Sequence, residues 1–334
     1  IPGFEGLRLS HFLSIGWAGV DLFFCLSAFL LVLPYAHWRH AGAPRPDTAQ
    51  YLMRRVRRIY PAYLAQLAIL LVLAGVFGVG RMLTPGEFIA HLFLWFNMGR
   101  DWVAPLLGVW FTLPIEFTFY LLLPLLAPLI DRRRWPWLLL TAIGITIAYR
   151  MIMFNLVAGE PVPVRVIEIE RLPGRIDQFV IGMLAGSAFV AASLRGWRPR
   201  QPASWFFAGV LGITIVIAAL IINADAYWQG HWLLFVWHGL FATALVPLLL
   251  GAAWSAKPAM TLLANRVMRH LGAISFGVYL WHMPLVLALV PYLPTSLSTS
   301  TRFWLLLALV LPATLVLAQL SHVFIERPFL RRTR

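Results

Sequence analysis

Charge is scarce in this chain, and acidic charge most of all: 12% of the 334 residues are charged, with 13 Asp and Glu against 27 Lys and Arg. So little charged sequence cannot cover a soluble globule of this length. A lone cysteine, Cys25, excludes both a disulfide framework and a cysteine-based metal site. No Gly/Ser linker, charged tail or low-complexity tract divides the chain, which reads as one membrane domain over 1–334. No internal repeat is visible, against the inverted-repeat construction of many secondary transporters. Nor is there a water-facing domain on which a basic stripe could meet nucleic acid, so no nucleic-acid partner is expected.

What is present is apolar sequence, at 60% of residues and a mean hydropathy of +0.79. Stretches at 17–36, 59–80, 108–130, 136–156, 174–194, 204–223, 231–254, 272–292 and 303–325 come close to the roughly 20 residues that cross hydrocarbon at 1.5 Å each. The expected fold is all-α, a polytopic transmembrane helical bundle with the bilayer as its first partner. A tenth stretch, 86–98, is too short to span comfortably and reads as a re-entrant or interfacial helix. Cationic residues are strongly asymmetric about these spans. Counted with alternating loops, 19 fall on the side of Arg54, Arg132, Arg195, Lys257 and the terminal Arg334, against 8 on the other. The charge rule makes that side cytoplasmic, C-terminus included, in the cell's inner or plasma membrane. The N-terminal end, which lacks an initiator Met and a signal-peptide pattern, then falls outside, and an upstream helix is expected, for ten spans in all.

Ionisable residues inside spans carry the chemistry, because each costs at least about 2.5–3.5 kcal/mol to place near the midplane. Asp21 lies near the start of the first span and could simply meet its helix dipole. Glu116 lies deeper, and a carboxyl there is neutral or paired, either of which suits acid–base or orienting work. Ser275, Tyr279 and His282 share one helical face at spacings of three and four, a polar stripe that must face protein or water. Arg54, Arg55, Arg57 and Arg58 crowd the mouth of the second span, and planar guanidinium forks suit a phosphate-bearing ligand as well as lipid headgroups. Arg175 and Asp177 open another span, to pair internally or to meet a sugar-like acceptor. Gly182 and Gly186 behind them form a small-xxx-small packing pair. His238 and His322 rank below His282, and no histidine spacing suggests zinc.

Together these segments resemble the integral-membrane acyltransferase-3 family, whose members O-acylate surface polysaccharides, peptidoglycan, lipids or antibiotics. Gly19-Val20-Asp21-Leu22-Phe23-Phe24 with Leu26 to Leu30 is similar to the family's Gly-Val-Asp block, with Ala28 where Gly is usual. Arg55 to Pro61, Trp110 to Tyr120, Arg175 to Gly182, Ser275 to Pro284 and Glu326-Arg327-Pro328 resemble five further blocks, in the family's order. One departure stands out. The family's first helix carries an Arg followed eleven residues later by a His with a central part in transfer. Arg8 and His11 do not have that spacing, in keeping with a missing first helix.

The resemblance implies an acyltransferase without a bound cofactor, taking acyl-CoA, acetyl-CoA by family habit, as cytoplasmic co-substrate. Arg54, Arg55, Arg57 and Arg58 would anchor its phosphates, and Asp21, Glu116, Tyr279 and His282 would line the interior. Arg175 and Asp177 would stand toward a glycan or lipid-linked acceptor, and the missing His would be the base or acyl carrier. The alternative reading is a transporter or flippase of a lipid-linked sugar or small acid, with the same residues along a path.

Overall fold

A computed structural model describes residues 16–96, 105–131 and 133–331. Arg8 and His11, with Arg132, Arg332 and Arg334 of the cationic set, lie outside the described residues. Every regular element among those described is helical, and nine helices among them are long and apolar enough to cross a membrane. Each answers to one of the expected spans.

The helices are α1 (Ala18–Ala41), α2 (Thr48–Phe77), the short α3 (Pro85–Leu92) and α4 (Thr112–Leu126), which a 3-10 turn extends at each end. Then come α5 (Trp135–Leu156), the short α6 (Val162–Ile169), α7 (Ile176–Leu194), α8 (Pro202–Ile222) and α9 (Leu233–Ala253), with short helical turns at Ala224–Tyr227 and Lys257–Leu263. The chain closes with α10 (Arg266–Leu289), α11 (Thr299–Ser321) and α12 (Arg327–Arg331), the last two joined by a π-helical turn, His322–Glu326. The largest departure from expectation is at α2, which starts at Thr48 rather than 59. Its polar first turns carry no hydropathy signal, but Asp47 caps them by accepting the Gln50 N–H at 2.7 Å. At its other end Gly78, in the left-handed region at φ 66°, stops it before 80. Helix α3 begins with a full capping box between Thr84 and Glu87. Its eight residues reach about 12 Å, too short to span.

The chain divides into two compact units. The first comprises 1–46 and 115–262. Here α1 lies along α7 and α8 along α9. Lipid gives apolar helices no hydrophobic reason to associate, so close backbone approach and dispersion must hold them. Gly182 and Gly186 permit that approach: a methyl at Gly186 would stand 2.7 Å from Val32 Cγ1, and one at Gly182 3.0 Å from Ala28 Cβ. Trp237, Phe241 and Leu245 of α9 fill the centre with Cys25 and Phe29.

The second unit comprises 47–114 and 263–334, with α10 packed on α11. Its buried polar pivot is Gln66 of α2, which accepts the Trp110 indole N–H at 3.0 Å and donates to the Leu280 carbonyl at 2.6 Å. Tyr63 donates to the His91 carbonyl at 2.9 Å. Burial holds the His91 imidazole below its ordinary pKa. A neutral ring suits its bonds, with Nδ1 on the Glu87 carbonyl at 2.7 Å and Nε2 accepting the Leu106 N–H at 3.0 Å.

Candidate active site

Asp21 sits in the first turn of α1, fully buried. It is no isolated helix-start carboxylate. Its Oδ1 takes Arg175 at 2.5 Å and His238 Nδ1 at 2.7 Å, so α1, the 3-10 turn leading into α7 and α9 meet on one oxygen. Arg175 also pairs with Glu170. Arg150, buried in the middle of α5, donates to Glu170 at 2.9 Å, to the Leu234 carbonyl at 2.6 Å and to the Gly174 carbonyl at 3.1 Å. Nε2 of His238 stands 3.3 Å from both the Tyr227 hydroxyl and Glu170. Trp17 closes over this cluster, with ring contacts to Tyr227, Trp237 and His238 at 5.0–6.0 Å.

The electrostatics arise from desolvation. Burial alone would raise the Glu170 pKa, but Arg150, Arg175 and His238 together hold the carboxyl well below its ordinary value. Burial pushes the Tyr227 hydroxyl up, so it stays protonated. Two guanidinium groups answer Asp21 and Glu170, while buried Asp177 adds a third carboxyl.

Asp177 does not join Arg175. Its backbone N–H meets Thr146 at 3.3 Å, and its Oδ1 accepts the Gln178 N–H at 2.8 Å. Both Arg175 and Asp177 are buried. Glu116 is buried on α4 and accepts the Tyr120 hydroxyl one turn on. Nearby in sequence, Phe119 stacks on Phe179 at 4.1 Å, and Phe179 lies 4.8 Å from Phe24.

The other sequence-named residues lie in the second unit. The Tyr279 hydroxyl donates to the Val109 carbonyl and meets Thr112 Oγ1 at 2.5 Å. His282 is half-buried, with Nδ1 3.1 Å from the Val278 carbonyl and its ring 6.1 Å from that of Tyr279. Ser275 is exposed on the same helix and donates to Gly272 at 2.9 Å. The four arginines fall within an arc of about 160° on α2, at 100° per residue. Arg54 donates to Gln50 at 3.0 Å. Arg58 turns to Glu326, 3.6 Å away and buried in the π-helical turn, which also lies 3.7 Å from His322. Among the described residues no group of three or more His, Cys, Asp or Glu side chains is placed to hold a metal ion.

Sequence reasoning undervalued Arg150, Glu170, His238 and Glu326. Arg150 had a signal, as a cation inside an apolar span. Glu170 had none, because it lies in a connection and acquires its role only when α5 and α7 converge on it.

A multi-pass helical membrane protein with a buried carboxylate, guanidinium and imidazole cluster is the class that fold and site define. Residues 3–322 match the acyltransferase-3 family, described as an acyltransferase domain, and the chain belongs to that family. It is 27% identical over 369 residues to the peptidoglycan O-acetyltransferase OatA of Listeria monocytogenes, covering 98% of this chain and 55% of OatA. To YrhL of Bacillus subtilis it is 26% identical over 374 residues, covering 98% and 54%. To the exopolysaccharide production protein ExoZ of Rhizobium meliloti it is 26% identical over 347 residues, covering 98% and 93%. The chain therefore spans about half the length of OatA and YrhL. No solved structure matches it significantly.

Proposed function

We propose that this chain moves an acyl group, acetyl in the simplest case, from cytoplasmic acyl-CoA to a hydroxyl of a cell-envelope glycan, in the cell's inner or plasma membrane with its C-terminus cytoplasmic. One observation carries the reading beyond the family match. The six motif blocks, scattered over 310 residues, close into three pairs: Asp21 with Arg175, Arg58 with Glu326, and Thr112 with Tyr279. Residues spent on packing alone would not need six polar or charged partners within and at the ends of apolar spans. The names of OatA and ExoZ support a glycan as acceptor.

In this reading Arg54, Arg55 and Arg57 bind the donor phosphates through charge-assisted forks, while Glu326 aims Arg58 beside them. The acceptor oxygen attacks the thioester carbonyl, the C–S bond breaks, and the acceptor proton ends on the CoA thiol. Glu116, Tyr279 and His282 are the polar groups proposed to serve the reacting atoms. Asp21 and Arg175, with Asp177 near them, serve the acceptor side by fixing the frame that presents it. No stretch of the 334 residues supplies the family's Arg-then-His pair, so none is assigned the proton-abstracting or acyl-carrying step.

The test is Glu116→Gln in the natural protein, assayed for acetyl transfer to envelope glycan in membranes. The expected result is a fall of about 10²-fold or more in turnover, with membrane abundance unchanged and the KM for acyl-CoA held. Unchanged turnover removes Glu116 from the chemistry.

A further inference from the structure

A cavity separate from the candidate active site lies in the first unit, where α1 and α7 end and α5 begins. It encloses about 600 Å³, a size typical of small-ligand pockets. Arg39 and His40 of the last turn of α1, Asp131, Ser187 and Arg195 supply its polar lining. Ile130, Leu184 and Ala188 give it an apolar wall. It shares no residue with the arginines of α2.

Its charge balance is what marks it. Asp131 is the acidic lining residue, and its charge is already answered: it accepts the backbone N–H groups of Arg133 and Arg134 at 2.8 Å each, and Arg134 and Arg39 stand 3.4 and 3.7 Å away. The backbone bond from Arg134, above all, holds its pKa below the ordinary carboxylate value. His40 Nε2 lies 2.8 Å from Ser187 Oγ, which is buried and fixes the ring against the wall. Arg195 caps α7 and has no carboxylate partner among the described residues. The recess is therefore net cationic, open at one side and greasy at the other. Favourable pairing with the ends of two helices accounts for cations at these positions. It does not account for a cavity between them.

We propose that this recess binds the headgroup of an anionic phospholipid, with the phosphate between Arg195, His40 and Arg39 and the acyl chains running along Leu184 and Ala188. Its place at the ends of several spans is where headgroups lie, and basic pockets between membrane helices are suited to them. A planar guanidinium fork gives the phosphate two directed bonds as well as charge.

The test uses the purified natural protein in detergent, titrated with phosphatidylglycerol or phosphatidylcholine and read by native mass spectrometry. Phosphatidylglycerol should be retained at least about five-fold more than phosphatidylcholine. That preference should vanish in Arg195→Gln and weaken in His40→Gln, yet persist in Arg269→Gln, an exposed cation of the second unit. Thermal stability in each lipid adds a readout that a helix-end role alone would not move. In the wild type, phosphatidylglycerol should raise the melting temperature above that in phosphatidylcholine, and Arg195→Gln should erase the difference. An equal fall in both lipids with retention intact overturns the proposal, as does retention insensitive to Arg195. Displacement of the lipid by adenosine 3′,5′-bisphosphate assigns the cavity to a soluble phosphate instead and overturns the lipid assignment.

Discussion

Glu170 shows how one buried carboxylate organises the first unit. Two guanidinium groups and an imidazole converge on it, and removing a single partner from such a set strands the others in low dielectric. Glu170→Gln should therefore destabilise the protein by about 3–5 kcal/mol, read as a fall in thermal stability in detergent. The pH dependence comes from the depressed pKa. The stabilisation is complete above the ordinary carboxylate value near 4.5, and it is lost as pH falls below that value toward the lower folded-state pKa. From pH 7 down to about 5 the melting temperature should lose nothing to this group. Acidification below 4.5 should then narrow the gap between wild type and Glu170→Gln, and a gap that widens on acidification would contradict the assignment. At this scale the sequence was half legible. Asp21 and Glu116 announce themselves, because a carboxyl inside an apolar run needs a partner. That the partners of Asp21 are Arg175 and His238, 154 and 217 residues away, is information only the packed helices hold.

Among the helices, hydropathy located each of the nine membrane-length helices of the described residues, because twenty apolar residues have few other uses. It failed where polar residues extend a helix past its apolar part. The first turns of α2 are helical through an Asp47 cap, and α11 runs into a π-helical turn that tucks Glu326 beneath Arg58. A π turn inserts an extra residue and rotates the helix beyond it, a device common at functional sites. The glycines of α7 are the clearest case in which a sequence pattern carried its packing role into the structure. Gly186→Leu would drive a side chain into Val32 and the Phe29 backbone, forcing α1 off α7 and pulling Asp21 away from Arg175. The expected outcome is a severalfold loss of folded protein in the membrane, measured by fluorescence-detected size exclusion. Gly196→Ala, in open space at the end of the same helix, carries only a backbone strain at φ 67° of order 1 kcal/mol and should be milder. Equal yields from the two variants would contradict close α1–α7 packing.

For the whole molecule, membership of the acyltransferase-3 family and the nine membrane-length apolar helices among the described residues agree with what composition and motif order indicate for those residues. The proposed transfer would meet a compartment problem, since its thioester donor would come from inside while an envelope glycan lies outside. Charged groups at span ends and polar groups at depth, in each unit, are the features such a reaction needs. The measurement that bears on this most directly is release of free CoA from acetyl-CoA by the natural protein in proteoliposomes, with and without an envelope glycan. Release stimulated by the glycan and abolished in Glu116→Gln and His282→Ala is expected. Folded protein that releases no CoA from any acyl-CoA, with or without glycan, would contradict it.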